Sequence, residues 1–439
     1  MNSMNRSYIS NIKLGERNKI QGFVENIRNK SKMAFIVVKD ITGKIQITVI
    51  KDECPPELVA QIDELTIQSV VTFEGKIIEN AHVKMGGMEM LPDVLKIESV
   101  ADTLPIQVDA KADNESDINL KMDYRWIDLR TDENTLIFKI QTEIVKAMRD
   151  FLLERDFLEI HTPKLIGSAS ESGASVFELK YYDRKAYLAQ SPQFYKQMAM
   201  AAGFDRIFEV GPCFRAEKSY TNRHTTEFTS FDLEFSYIES FHDVMQIESE
   251  LLTYMLEKVN AKYGAEIQNK FGVELIVPEM PFPVMKLRDI YAEIETRYGY
   301  TVPESEKGDL TAEAEQLCFK LSKEKFGHEF LFVTDFDSEK RAFYHMRDEN
   351  GVPLGFDLLW RGVEITSGAQ REHRYDVLKK ITDEMGLGED VKYYLEFFKY
   401  GCPAHGGFAV GVDRLTMLLL GLHIKDAMFL FRGPNRLNP

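Results

Sequence analysis

Between Phe214 and Glu234 the chain reads FRAEKSYTNRHTTEFTSFDLE. Arg215, Glu217, Lys218, Arg223 and His224 crowd together, and Asp232 and Glu234 then alternate with Phe231, Leu233 and Phe235. In an extended strand residues i and i+2 share a face. The spacing predicts a hairpin around the polar SYTNR turn, with an apolar back and a front of mixed charge. Arg215 and Glu217 would share that front on the first strand, Asp232 and Glu234 on the second. A front of this kind suits a polyanion held beside a zwitterion.

Three further sets extend the chemistry. Arg215, Arg223 and Arg414 could hold a multi-phosphate ligand, because guanidinium forks bind phosphate oxygens bidentately. The chain has no GxxxxGK[ST] loop and no GxGxxG after a strand, so a nucleotide site would be built on an antiparallel sheet. Asp357 and Glu364 flank WRG; on two adjacent strand segments they could share Mg²⁺, although acids so spaced are more often surface charges. Lys196 and Arg371 could hold carboxylates, and Glu171 and Asp232 an ammonium. Two cations and two anions suit a dicarboxylic amino acid better than an amide. No Ser/His/Asp or Cys/His nucleophile system is visible. The chemistry is therefore positioning and electrostatic stabilisation of a phosphoryl-centred displacement.

These residues need elements to hold them. A chain of 439 residues predicts two or three domains. The four cysteines, Cys54, Cys213, Cys318 and Cys402, have no metal-ligand spacing and read as free thiols of a reducing compartment. No apolar run is long enough to span a bilayer, and the first residues read as the start of a cytoplasmic protein. Net charge is −16, yet residues 1–51 hold ten Lys/Arg against three Asp/Glu. A basic module on an acidic body suits one defined polyanionic partner.

Strand-like alternation over residues 17–50, 69–78 and 88–101, with a short helix at 55–65, predicts a five-stranded OB-type β-barrel over 1–104. On it Phe35 could stack a base, Gln46 read a base edge and Arg28 meet a phosphate or base; Phe35 could equally be core. Residues 105–133 read as a hinge. Residues 134–439 read as an α+β domain, an antiparallel sheet flanked by helices. It would contain amphipathic helices over about 134–155 and 241–263, and a helical insertion at about 284–345 with strands at 329–337 and 341–347. The loop GSASESGASVF around Glu171 could be a mobile lid or ordinary loop. In SPQFYKQM, Ser191 would cap a helix with Pro192 in its first turn, placing Gln193 and Lys196 on one face near its positive end.

FLEIHTPKL (157–165), the 214–234 stretch and GGFAVGVDR (406–414) resemble motifs 1, 2 and 3 of class II aminoacyl-tRNA synthetases. With the OB-like module they resemble the subclass charging aspartate, asparagine and lysine. QSPQFYKQ (190–197) and RGVEITSGAQREH (361–373) look like the aspartyl-tRNA synthetases of archaeal/eukaryotic type. The resemblance implies that Arg215 holds the α-phosphate of ATP, Glu217 reads the adenine amino group and Phe228 stacks under adenine. Arg223, His224 and Arg414 would bind the β/γ end, and Asp357 and Glu364 the Mg²⁺, with Ser367 close by. Gln193, Lys196 and Arg371 would grip aspartate, with Asp232, Ser191 and Glu171 on its ammonium. Pro163 would sit at a homodimer interface, and Arg28, Phe35 and Gln46 would contact the anticodon. The implied acceptor is tRNA(Asp). GFVENIR lacks the aromatic or His that often follows the valine, which leaves tRNA(Asn) open as a second acceptor. The competing readings are an asparaginyl-tRNA synthetase, an amide-forming synthetase-like enzyme and a catalytically silent nucleic-acid-binding relative. Lys196 disfavours the first, the barrel the second, and Arg215, Glu217 and Arg414 the third.

Overall fold

In the computed structural model, which describes residues 5–108, 116–168, 175–218, 224–388 and 390–439, the chain divides into two units, Met1–Leu120 and Lys121–Pro439. The first is a closed barrel of β1 (Arg17–Asn29), β2 (Met33–Lys39), β3 (Lys44–Ile50), β4 (Val70–Glu79) and β5 (Met88–Ser99), ordered β1-β2-β3-β5-β4, with α1 (Pro56–Ile62) between β3 and β4. Alternation drives its closure. Ile20 and Val24, then Ala34, Ile36 and Val38, then Ile45, Ile47 and Val49 all point inward and are fully or almost fully buried.

The second unit begins with two short helices, α2 (Ile118–Asp123, which straddles the division) and α3 (Arg125–Asp128), inside the stretch expected as a hinge. Helix α4 (Asp132–Leu153) follows, its start capped by the Thr131 side chain accepting from the Asn134 backbone N–H. Two-residue strands β6 (Leu158–Glu159) and β7 (Leu165–Ile166) lead to the hairpin β8 (Glu178–Tyr181) and β9 (Arg184–Leu188). Helix α5 (Gln193–Ala201), β10 (Arg206–Phe214) and β11 (Glu227–Ser236) carry much of the site. Helix α6 (Phe241–Phe271) runs past its expected end to Gly272, whose φ of 69° closes it. Then come β12 (Val284–Lys286), α7 (Leu287–Tyr298), α8 (Ala312–Phe326), β13 (Phe330–Thr334), β14 (Gly355–Trp360) and β15 (Val363–Gln370). The chain closes with α9 (Tyr375–Glu384), α10 (Lys392–Lys399), β16 (His405–Gly411), α11 (Val412–Leu420) and α12 (Ile424–Ala427).

Eight strands form one sheet in the order β12-β13-β14-β15-β16-β11-β10-β6. The six central strands pair antiparallel, whereas the edge pairs β12–β13 and β10–β6 are parallel. On one face Phe231, Leu233, Phe356, Leu358, Phe408 and Val410 meet α4 and α6, whose buried Ile140, Ile144, Leu252 and Met255 complete the largest core. Each such side chain contributes about 1.5–3 kcal/mol when fully buried. On the other face α7 and α8 cover the β13–β14 end through Ile290, Ile294, Leu321, Leu331, Val333 and Leu359. Two strands of the 284–345 segment thus extend the large sheet. Residues 341–347, expected as a strand, form none and make only isolated bridges, His345 with Arg371 and Arg347 with Pro353.

Candidate active site

The uncovered part of that second face is the site. Alternation along β11 sends Asp232 and Glu234 to it while Phe231, Leu233 and Phe235 go to the core, as the sequence predicts. β16 supplies a floor of small residues. At Gly407 a Cβ would lie 2.1 Å from the Leu233 carbonyl and 2.4 Å from Glu234 Oε2, so only glycine leaves room for that carboxylate. Above the floor is a cavity of about 250 Å³. Its walls bring together Ser191, Gln193, Lys196, Arg215, Glu217, His224, Phe228, Asp232, Glu364, Ser367, Arg371 and Arg414. Asp357 is not among the residues lining it, and Glu171 and Arg223 lie outside the described residues.

One end is a buried charge lattice. Lys196 Nζ lies 3.0 Å from Asp232 Oδ1 and 3.5 Å from Glu234 Oε2. The Arg371 guanidinium donates to Glu234 Oε1 at 2.9 Å and to the Gly407 carbonyl at 2.8 Å. All four charged side chains are almost fully buried. Burial pushes the Glu234 carboxyl up, but Arg371 and Lys196 outweigh it and hold the group below its ordinary value. Glu234 thus joins the site through both cations, and its alternation with Asp232 is the signal for it in the sequence. Asp232 Oδ2 accepts from Ser230 Oγ at 2.5 Å, while Oδ1, buried, has no hydrogen-bond partner of good geometry.

Gln193 belongs to a chain of buried polar groups that local spacing does not reveal. Its Nε2 donates to Gln197 Oε1, which also accepts from Tyr394 Oη, both at 3.1 Å. His405 Nδ1 faces the Pro403 carbonyl at 2.8 Å and must donate, so Nε2 accepts from Gln197 Nε2 at 3.1 Å. Burial pushes His405 down to about 4, keeping it neutral. His345 is likewise pushed well down by burial and then by Arg371, and its Nε2 lies 3.4 Å from Arg371 Nη1. The helix carrying Gln193 starts one residue later than expected. Pro192 is its N-cap, and Ser191 Oγ accepts from the Gln193 backbone N–H at 3.1 Å.

The other end carries Arg215, Glu217, His224, Phe228 and Arg414. β10 stops at Phe214, so Arg215 and Glu217 stand in the following loop and not on the first strand of the hairpin. The Arg215 guanidinium lies 5.2 Å from the Phe228 ring centroid, leaving a cation and an aromatic plane side by side. Arg414, in the first turn of α11, donates to the Glu364 carbonyl at 2.9 Å. Asp413 accepts from the Thr229 N–H at 2.8 Å and ties that helix to β11.

Asp357 and Glu364 do lie on adjacent strands, but a bulge decides where they point. Leu358 pairs with Thr366 and Leu359 with Glu364, so Ile365 is an extra residue in β15. Below the bulge Glu364 shares the site face with Ser367 and Asp357; Thr366 turns to the opposite side and bonds Glu248 of α6. Burial, then the Asp357 charge, push Glu364 up to about 7. Asp357 is gripped by Arg341, whose Nη1 and Nη2 reach its two oxygens at 2.8 and 2.6 Å. Among the described residues no group of three His, Cys, Asp or Glu could hold a metal by itself.

In the barrel Arg28 pairs with Phe35, Phe35 with Thr48, and Val37 with Gln46. Directly opposed residues share a face, so Arg28, Phe35 and Gln46 stand together on the outside of β1–β3. Phe35 is half-buried between the buried Ala34 and Ile36, which removes its core reading. Gln46 Nε2 donates to Glu89 at 2.9 Å.

Comparison with known proteins agrees with this architecture. The family model described as tRNA synthetases class II (D, K and N) matches residues 117–432, and that described as OB-fold nucleic acid binding domain matches 19–98. An aspartate–tRNA(Asp/Asn) ligase of Methanopyrus kandleri is 40% identical over 97% of this chain and 96% of its own length. An aspartate–tRNA(Asp) ligase of Pyrococcus abyssi is 38% identical over 97% of both chains. The crystal structure of asparaginyl-tRNA synthetase from Pyrococcus horikoshii with asparaginyl-adenylate superposes with a TM-score of 0.90 at 31% identity, covering both chains completely. A sheet of this topology, a barrel of this order and these matches agree, and the chain belongs to the class II tRNA synthetases of the D, K and N group.

Proposed function

We propose that this protein ligates L-aspartate to tRNA(Asp), and to tRNA(Asn) as a second acceptor, through an aspartyl-adenylate. The observation that carries the amino-acid reading is the lattice at Lys196. Lys196, Arg371 and Asp232 line one end of the cavity, Glu234 pairs with both cations, and Asp232 Oδ1 has the Lys196 ammonium 3.0 Å away. A carboxylate oxygen with one cationic partner still has lone-pair capacity for a second donor. An α-ammonium supplies it, while Lys196 and Arg371 answer the side-chain carboxylate. An amide side chain would leave that positive charge unused. The names of the curated relatives support the same substrate.

In this reading Phe228 stacks under adenine, Glu217 reads its amino group, and Arg215 meets the α-phosphate. His224 and Arg414, with Arg223, take the β/γ end. Ser191, Gln193 and Glu171 complete the amino-acid subsite. The oxygen-only pair Glu364 and Ser367, on the cavity wall, fits magnesium, which favours one or two carboxylates plus phosphates. When bound, magnesium supplies neutralisation of phosphate charge. The aspartate α-carboxylate attacks the α-phosphorus and pyrophosphate leaves. The 3′-hydroxyl of the tRNA terminal adenosine then attacks the acyl carbon and AMP leaves. Arg215 and Arg414 do their work by charge stabilisation, without a covalent nucleophile from the protein. Arg28, Phe35 and Gln46 contact the anticodon, Pro163 lies at a homodimer interface, and the cytoplasm is the working compartment. The domain roles follow the same reading: 1–104 binds the anticodon, 105–133 connects, and 134–439 is catalytic.

The test is ATP–pyrophosphate exchange with aspartate against asparagine, followed by aminoacylation of separate tRNA(Asp) and tRNA(Asn) transcripts. Exchange driven by asparagine and not aspartate would overturn the substrate; no exchange with either would overturn the enzyme.

A further inference from the structure

A guanidinium has five N–H donors and no acceptor. Among the described residues, Arg371 spends four of the five inside the protein. Nε donates to Glu234 Oε1 at 2.9 Å, and Nη2 reaches Glu234 Oε2 at 3.3 Å and the Gly407 carbonyl at 2.8 Å. One hydrogen of Nη1 faces His345 Nε2 at 3.4 Å, and the other is left for the cavity that Arg371 lines. Lys196 lines the same cavity; its ammonium carries three hydrogens, lies 3.0 Å from Asp232 and 3.5 Å from Glu234, and so also keeps one. Two donors from two cations match the two oxygens of a carboxylate. An amide accepts one of them and turns its own N–H donors toward the other.

His345 is placed to govern the Arg371 donor. The two residues form an isolated antiparallel bridge, so their side chains leave the backbone opposite each other. The ring is buried and lines the cavity, and a Cβ on Gly355 would lie 3.0 Å from its Nδ1, so glycine gives it room. Arg371 can only donate, so Nε2 must hold a lone pair and the ring hydrogen sits on Nδ1. Burial, then the charges of Arg371, Arg341 and Arg347, push the ring well below its ordinary value and keep that lone pair free of a proton. Nδ1 is buried with no hydrogen-bond partner among the described residues, so the polar contact that orients the ring is the one with Arg371. We propose that His345 is a positioning residue for amino-acid recognition: its neutral ring takes one Nη1 hydrogen of Arg371 and so aims the other at the side-chain carboxylate of the bound amino acid. The identity of that amino acid rests on the proposed function, whereas the tautomer of the ring does not.

The experiment compares His345→Leu, which removes the acceptor, with His345→Gln, whose Oε1 can stand where Nε2 stood. In ATP–pyrophosphate exchange His345→Leu should raise KM for aspartate about three- to tenfold, because Arg371 no longer holds its free donor in place. KM for ATP should stay as it is. The inhibition constant of asparagine as a competitor should move by less than about twofold, since an amide never used the second donor. His345→Gln should return KM for aspartate to within about twofold of wild type, and it stands in if His345→Leu fails to fold. An unchanged KM in His345→Leu, a rise shared equally by aspartate and asparagine, or a Gln variant as impaired as the Leu variant overturns the inference. A second readout needs no activity: nitrogen magnetic resonance of the histidine-labelled protein at neutral pH. The chain has nine histidines, and the signals lost in His345→Gln belong to this ring. They should report a neutral ring protonated on Nδ1; protonation on Nε2, or on both nitrogens, overturns the inference. Wild-type protein that fails to exchange with aspartate would sink the proposed function and leave the tautomer result standing.

Discussion

Replacing Lys196 with methionine separates substrate recognition from folding. Lys196 is 1% exposed and its Nζ sits between Asp232 and Glu234 at 3.0 and 3.5 Å. Glu234 keeps Arg371 when the ammonium goes, but Asp232 keeps only the Ser230 hydroxyl. Leaving one member of a buried pair uncompensated costs about 3–5 kcal/mol of stability. For the substrate, the missing contact is a charge-assisted hydrogen bond to its side-chain carboxylate, about 1.5–3 kcal/mol. At about 1.4 kcal/mol per decade, KM for aspartate in ATP–pyrophosphate exchange should rise about 10- to 100-fold. KM for ATP, bound at the other end, should stay as it is. The companion variant K196M/D232N removes the orphaned carboxylate as well, so its melting temperature should recover while exchange stays impaired. A Lys196→Met protein that melts cooperatively and shows an unchanged KM for aspartate would refute the assignment of this lattice to the amino acid.

Three other outcomes follow from the geometry. Glu248 is buried against Thr366 and pushed up to about 8 by that burial, from an ordinary 4.5. An acid raised in the folded state is neutral there while the unfolded chain ionises, so its stabilising contribution is full below about 4.5 and is lost as pH rises toward about 8, at up to about 1.4 kcal/mol per unit. Melting curves of Glu248→Gln and wild type should therefore diverge across that window, the variant gaining; parallel curves would contradict the assignment. Gly407→Ala drives a methyl into the Leu233 carbonyl and Glu234, and should cost about 1–3 kcal/mol in thermal melting and abolish exchange; a variant as stable and active as wild type would show that β16 has room. Phe35→Ala should raise KM for tRNA by about 1–3 kcal/mol of lost stacking while leaving tRNA-free exchange untouched; an unchanged KM for tRNA removes Phe35 from the anticodon contact.

The parts of the site that sequence made legible are those with a local period. Alternation assigned Asp232 and Glu234 to one face and Phe231, Leu233 and Phe235 to the other, and α5 carries Gln193 and Lys196 as their spacing requires. Phe35 stays ambiguous in the sequence, where it lies in the continuous apolar run MAFIVV; only the burial of its neighbours Ala34 and Ile36 places it on the outer face. What stayed illegible depends on partners far along the chain. Arg341 comes from the 341–347 segment, whose pattern predicts a plain strand, and it meets Asp357 across 16 positions. Gln197 meets His405 across 208 positions, and Gly407 is required because Leu233 and Glu234 lie against it on the neighbouring strand. Alternation predicts Arg215 on a strand, but β10 ends at Phe214; period carries no information about where pairing stops.

The extra residue at Ile365 has a consequence for how such sites are found. A strand of unbroken period can hand only alternate residues to one side, yet β15 delivers Glu364 and Ser367, three positions apart, to the same cavity. Three is the offset of neighbours on a helix, so a search that converts spacing into conformation would file this pair under the wrong geometry. Removing Ile365 would leave Glu364 opposite Leu359 and Thr366 opposite Leu358, the partners they already have, so the acid and Ser367 would keep one face at the ordinary strand spacing of two.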